Sequence, residues 1–202
     1  MNYLFLDIAS HEGIIACAND TSVVASHACT NRLSDHELIP CVEKMLKQAN
    51  WSYKDFTHIA CVIGPGGFTS LRVAVAFANT LSDQLDIPAA GVHLSDLYSA
   101  RIPNPQSPIL WVHSTKKSEL FARTFDCDPW PEPTHLTLEE FIKQAPKSTQ
   151  WCGELIEEHA KEIIELGGKE VELSDPLDVL PVFLSKLEYN KDPLQPWYGR
   201  GF

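Results

Sequence analysis

The chain has 202 residues, of which 27 are acidic and 16 basic, giving a formal charge of −11, and 44% are hydrophobic. That apolar share supports a packed core and excludes a disordered chain, and a molecule of this size buries about 70% of its unfolded surface without a disulfide or metal staple. The acidic balance repels a phosphate backbone, so contact with nucleic acid is expected only through a partner.

The N-terminal segment Tyr3-Leu4-Phe5-Leu6-Asp7-Ile8 reads as a buried strand ending on a carboxylate. It has no basic run and no cleavage site, so no signal peptide is expected in it. Gly13 to Ala18 and Ser22 to Ser26 follow as two more strands about the Asn19-Asp20 turn, an antiparallel meander. Ser34-Asp35-His36-Glu37 has the spacing of a capping box, in which hydroxyl and carboxylate each satisfy a free backbone N–H at a helix start. The helix it opens carries Leu38, Ile39, Val42, Leu46 and Ala49 at helical period and stops by Asn50, with Pro40 expected to bend its beginning.

Ile59-Ala60-Cys61-Val62-Ile63 is the next strand. Like most of the six cysteines, Cys61 lies in an apolar run and none form a C-x-x-C pair, which is the usage of reduced thiols in a cytoplasmic protein. Gly64-Pro65-Gly66-Gly67 then leads into a second helix from Thr69 to Leu85, ended by Ile87-Pro88, with a short strand at Ala89 to Val92 and a third helix from Ser95. The longest apolar stretch, Val73 to Ala78, falls far short of the roughly 20 residues of a membrane span. No membrane association is therefore expected.

Three prolines between Ile102 and Pro108 mark the best boundary, dividing the chain into a lobe of 1–104 and a second of 105–202. Beyond it come strands Ile109 to His113 and Glu119 to Phe125, a proline-rich loop, a helix from Leu138, a strand at Thr149 to Cys152, and a helix from Glu154 to Leu166. No sequence repeat is visible. The alternation of strands and helices predicts an α/β fold with mixed sheets and helices on their faces.

Two features invite a functional reading. The loop Gly64 to Thr69 sits between a strand and a helix N-terminus, where it reads either as a tight turn or, with Asp7, as a phosphate-binding loop using Gly64, Gly66, Gly67 and Thr69. No Walker lysine follows it. The eight histidines are scattered without metal-ligand spacing, and no G-x-S-x-G elbow is present, so neither a metal set nor a catalytic residue is expected. The second feature is the helix pair. Cys41 and Met45 in the first, and Val73, Ala74 and Phe77 in the second, lie off the main apolar stripes, as in helices buried on more than one side. One side would be the protein's own sheet; a partner chain is a candidate for the other.

Gly64 to Ala76 resembles the "GPGSFTGLRIGVA" segment of the TsaB (YeaZ) family. Phe5-Leu6-Asp7-Ile8-Ala9-Ser10 is similar to that family's "LAIDTS", Ser34 to Pro40 to its "QHSELLLP", Ile87 to Val92 to its "GIPLVGV", and the closing Pro196-Trp197-Tyr198-Gly199-Arg200 to its "P-x-Y-x-R". Departures occur at Gly67, where the family usually has Ser, at Ser70 for Gly, at Ile8-Ala9, at Asn79 for a frequent Lys, and at His113 for an Asp. The resemblance implies an ASKHA (actin/hexokinase/ribonuclease H-like) fold with a complete first lobe and a reduced second lobe. It further implies a non-catalytic, cytoplasmic subunit in the making of threonylcarbamoyladenosine in tRNA. Its partners would be a TsaD-like transferase and a TsaE-like ATPase, with tRNA reached only through the complex. The implied partner interface comprises Leu38, Val42, Met45, Leu46, Leu71, Arg72, Val75, Phe77 and Ala78, and a homodimer through the same helices would form without the partner. No cofactor of its own is implied, although ATP or ADP could sit at the shared interface. The alternatives are an ATP-binding ASKHA enzyme acting alone through Asp7 and the glycine loop, and a metallopeptidase-like protein of the older M22 description.

Overall fold

The computed structural model describes residues 1–29, 35–103, 108–125 and 127–199. Ser34 of the expected capping box, residues 104–107 of the proline-rich boundary and Arg200 of the closing motif lie outside them. Two compact units result: Met1–Leu94 with Asp175–Tyr198, and Ser95–Ser174 joined by Gly199. The expected division at 104/105 differs from this in two ways. The break comes at Leu94, and the segment 175–198 belongs with the first unit.

In the first unit β1 (Asn2–Leu6), β2 (Gly13–Asn19), β3 (Val23–Cys29), β4 (His58–Gly64) and β5 (Ala89–His93) form one sheet in the order β3-β2-β1-β4-β5. The first three strands are the expected antiparallel meander, whereas β1, β4 and β5 run parallel. The parallel pairs need crossovers, which are α1 (Asp35–Ala49) and α2 (Phe68–Leu85). Period-two alternation puts Leu4, Leu6, Ile15, Cys17, Ile59 and Cys61 on one sheet face, where they merge with side chains of α1 and α2 into a single core. α1 lies over β2 and β3, and α2 over β4 and β5.

The helix ends follow from local chemistry. α1 runs through Pro40 without a break and stops where Asn50 turns left-handed (φ 56°) and the Trp51 amide returns to the Leu46 carbonyl at 2.9 Å. α2 stops in the same way, with Asp86 at φ 54° and the Ile87 amide donating to the Ser82 carbonyl at 3.1 Å.

In the second unit β6 (Ile109–Lys116), β7 (Glu119–Thr124), β8 (Thr134–Thr137), β9 (Gln150–Glu154) and β10 (Lys169–Glu170) are ordered β10-β9-β6-β7-β8. An antiparallel meander again precedes two parallel strands, so the first unit's topology is repeated although no sequence repeat announces it. The unit is reduced by shortening rather than by loss of elements. α4 (Leu138–Gln144) and α5 (Glu157–Glu165) have 7 and 9 residues where α1 and α2 have 15 and 18, and β10 has two. α5 begins at Glu157, later than expected, because Glu154 is the last residue of β9.

Two further helices complete the units. α3 (Leu94–Ala100) places the Tyr98 ring against Trp111. α6 (Pro176–Ser185), which periodicity did not reveal, packs against β2 and β3 in the first unit. Its start is set by Pro176 and by Asp175, whose carboxylate accepts the Leu177 amide at 2.8 Å.

Candidate functional site

The loop after β4 and the carboxylate after β1 do converge, but on each other's backbone. Asp7, 3% exposed, accepts the Ala9 and Ser10 amides at 3.2 and 3.1 Å and the Ser10 hydroxyl at 2.5 Å. That holds the Ala9 carbonyl where it accepts the Gly67 amide at 2.8 Å. The glycines answer to the same crowding. A Cβ on Gly66 would lie 2.5 Å from the Ala9 oxygen, and Gly64, at φ 152°, has the Trp197 carbonyl where its Cβ would stand. The Trp197 amide in turn donates to the Ile63 carbonyl at 2.7 Å. Thr69 is exposed on the first turn of α2. Of the two open readings of the loop, these contacts account for Gly64 and Gly66 as parts of a turn stitched to its neighbours.

The helix pair gives a mixed result. Leu38, Val42, Met45, Leu46, Leu71, Val75 and Ala78 are all at most 5% exposed. All but Leu71 belong to the core shared with the unit's own sheet, and the seven leave no apolar area for a partner, which corrects their expected role. The physical reason is that a five-stranded sheet offers enough breadth for two helices side by side, so stripe and off-stripe residues such as Met45 both find cover. Phe77 and Val73 are half-buried and lean on that core. Arg72 alone of the nine is exposed.

What α2 does present is a different stripe. Phe68, Arg72, Ala76 and Thr80, spaced four apart on one helical face, are all exposed. Phe68 is 58% exposed, with the Arg72 guanidinium 4.4 Å from its ring centre and the Tyr198 ring at 5.0 Å. On α1 the exposed apolar residues are Ile39, 50% exposed, and Pro40 beside it. Sequence reasoning missed Phe68 because the expected helix starts at Thr69, whereas α2 begins at Phe68 itself, and its spacing of three and seven to Leu71 and Val75 is that of a buried position. Its adjacency to Arg72 at i, i+4 was the signal available.

Histidines scattered in sequence gather in the second unit. His113 and Glu154 are opposed in the β6–β9 register, with His113 Nδ1 3.2 Å from a Glu154 oxygen and the Tyr98 hydroxyl donating to the same carboxylate at 3.2 Å. His159 Nε2 faces the Lys117 carbonyl at 3.0 Å, so that nitrogen carries the proton. Its Nδ1 then accepts the Ser114 hydroxyl at 2.9 Å, while the Ser114 oxygen accepts the Ile156 amide at 3.0 Å. Ser114 and His159 are 1% and 0% exposed, so this Ser–His pair fastens the end of β6 to α5 and does not present a nucleophile.

Residues 28–127 match the family model of TsaD, tRNA N6-adenosine threonylcarbamoyltransferase. The chain is also similar to the tRNA threonylcarbamoyladenosine biosynthesis protein TsaB of Buchnera aphidicola, at 28% identity over 101 residues, covering 48% of this chain and 45% of that protein. A third similarity is to TsaB of Bacillus subtilis, at 30% identity over 94 residues, covering 46% and 41% respectively. These matches support the resemblance to the TsaB/YeaZ family. The match takes in about half the length of the TsaB relatives. A solved structure described as an uncharacterized protein with similarity to peptidase YEAZ from Pseudomonas aeruginosa superposes with a TM-score of 0.74 at 18% identity, over 98% of this chain and 99% of that one. The fold is therefore ASKHA-like throughout, and the TsaB/YeaZ motifs fall on the β1 turn, the glycine loop and α2. Among the described residues, no helix is long and apolar enough to cross a membrane.

Proposed function

We propose that this chain is an accessory subunit in tRNA threonylcarbamoyladenosine biosynthesis that docks onto a TsaD-like transferase through the outer face of α2 and the exposed start of α1. The observation that carries this reading is the stripe Phe68–Arg72–Ala76–Thr80. It joins an exposed aromatic ring, a stacked guanidinium and a small residue that admits close approach, the composition of an interface hot spot. The same face supports a homodimer when the transferase is absent, and a TsaE-like ATPase would join the assembled pair. tRNA contact falls to the complex, in keeping with the −11 charge of this chain. ATP or ADP, on this reading, belongs to the joint interface. The Asp7 oxygens and the glycine loop are engaged with Ala9, Ser10 and Trp197, which favours an accessory role over an ATP enzyme acting alone.

The test is co-elution with the transferase of the same organism, comparing wild type with Ala76→Glu. Because Ala76 is exposed, the substitution leaves the monomer folded and should abolish the complex. A complex that survives it unchanged would remove α2 from the interface.

A further inference from the structure

The C-terminal tail contributes to this same face. Asn79 on α2 holds Leu194 by both of its backbone polar groups: its side-chain amide donates to the Leu194 carbonyl at 3.0 Å and its oxygen accepts the Leu194 amide at 2.8 Å. Asn79 thereby acts as one rung of a ladder, and Leu194 is drawn into the core of the first unit. Three residues on, the Trp197 amide donates to Ile63 at the end of β4 at 2.7 Å, and the Trp197 ring packs edge-on against His93 at 4.5 Å. Held at these two points, the chain delivers Tyr198 onto Phe68, which also lies under the Arg72 guanidinium.

We infer that the tail is a strap that completes the docking stripe with Tyr198, and that Asn79 is the positioning residue that sets it there. The inference rests on the docking reading above and goes beyond it, since it makes a segment distant in sequence part of the interface. The occupant is the transferase-type partner, and the charge pattern says what it must offer. From Phe68 to Thr80 there is no acidic residue in a chain that has 27, and the one charge is Arg72. A partner helix presenting an apolar side chain to the Phe68–Tyr198 rings and a carboxylate to Arg72 satisfies both. The family-model match over residues 28–127 includes α1 and α2 entirely, so the transferase family carries a comparable helix pair to meet them.

The experiment titrates the full-length chain with the transferase and follows hydrogen exchange of residues 194–198. Tyr198→Ala should weaken binding by roughly tenfold or more, as loss of an aromatic anchor does, without changing exchange at Trp197. Asn79→Leu should speed exchange at Leu194 and Trp197 and weaken binding to a similar degree, and the double substitution should add little, because both act through one ring. Should Asn79→Leu fail to fold, Tyr198→Ala carries the test alone. An Asn79→Leu chain with a released tail and affinity within twofold of wild type overturns the inference while leaving the docking reading intact, as does Tyr198→Ala within twofold. Unchanged exchange in Asn79→Leu overturns the role given to Asn79. A wild-type chain that does not bind the transferase overturns the docking reading itself and this inference with it.

Discussion

Adjacent glycines in the loop before α2 should respond oppositely to the same one-methyl change. A Cβ on Gly66 would stand 2.5 Å from the Ala9 oxygen, 2.7 Å from its carbonyl carbon and 2.8 Å from its Cβ, all closer than a methyl carbon can sit. Ala9 cannot retreat freely, because its amide is held by Asp7 and its carbonyl by the Gly67 amide. Gly66→Ala therefore combines overpacking of about 1–3 kcal/mol with loss of a backbone hydrogen bond of about 1 kcal/mol. At roughly 2–4 °C per kcal/mol for a chain of this size, melting should fall by roughly 5–15 °C. Gly67 has negative φ, and its nearest neighbours to an added Cβ are Ser70 Oγ at 3.5 Å and the Ala9 oxygen at 3.8 Å. Gly67→Ala should thus change stability by less than about 0.5 kcal/mol, and Gly67→Ser should gain a few tenths by supplying the N-cap oxygen that α2 lacks. Calorimetric melting of the three variants, without added ligand, reads the difference. Equal melting for Gly66→Ala and Gly67→Ala would refute the view that the loop is a joint stitched to Ala9, and would return it to the phosphate-loop reading.

Val75→Asp and Ala76→Asp make a second pair: Val75 is 3% exposed and its aspartate should cost on the order of 4 kcal/mol and unfold the first unit, whereas Ala76→Asp should keep a native circular-dichroism spectrum. His58 is held below the usual histidine range by burial and by the N-terminal amine, against a weaker opposite pull from Asp20. A depressed folded value means that the unfolded chain takes up the proton first. Stability should accordingly be full above about pH 6.5 and decline as pH falls through the folded value, and His58→Gln should flatten the melting temperature between pH 7.5 and 5.5. Burial raises the thiols of Cys17, Cys29 and Cys152 to about 12 and that of Cys61 upward as well. Iodoacetamide at pH 8, read by peptide mass, should therefore label the half-buried Cys127 and Cys41 well before these four; early labelling of Cys61 would show that the β4 core opens.

Most of the first unit was legible because its signals are local. Period-two runs at Tyr3–Ile8 and Ile59–Ile63 and the 3.6-residue period of α1 and α2 are direct consequences of strands and helices with one buried face. α6 lies in a stretch to which the sequence analysis assigned no element; it carries two prolines, of which Pro176 merely occupies the opening turn where no amide partner is needed. β8 and β10 escaped because four and two residues hold too little pattern to register. The expected boundary at the prolines was misplaced for a related reason: proline marks where regular structure stops, not which core a segment joins.

The sequence by itself determined the elements, the family motifs and the fold class, since these depend on periodicity and on residues with special backbone behaviour. Only the tertiary structure decided which side of each helix is spent. Leu38, Val42, Met45 and Val75 vanish into a core shared with the sheet, while Phe68, at the first residue of α2 and in period with Leu71 and Val75, stays in solvent against Arg72. It also decided that Tyr198 joins Phe68 from across 130 positions, and that His113 meets Glu154. Such meetings depend on strand order and on where the tail is pinned. Nothing in the local chain encodes them, because a side chain's burial is settled by what the rest of the polypeptide brings to it.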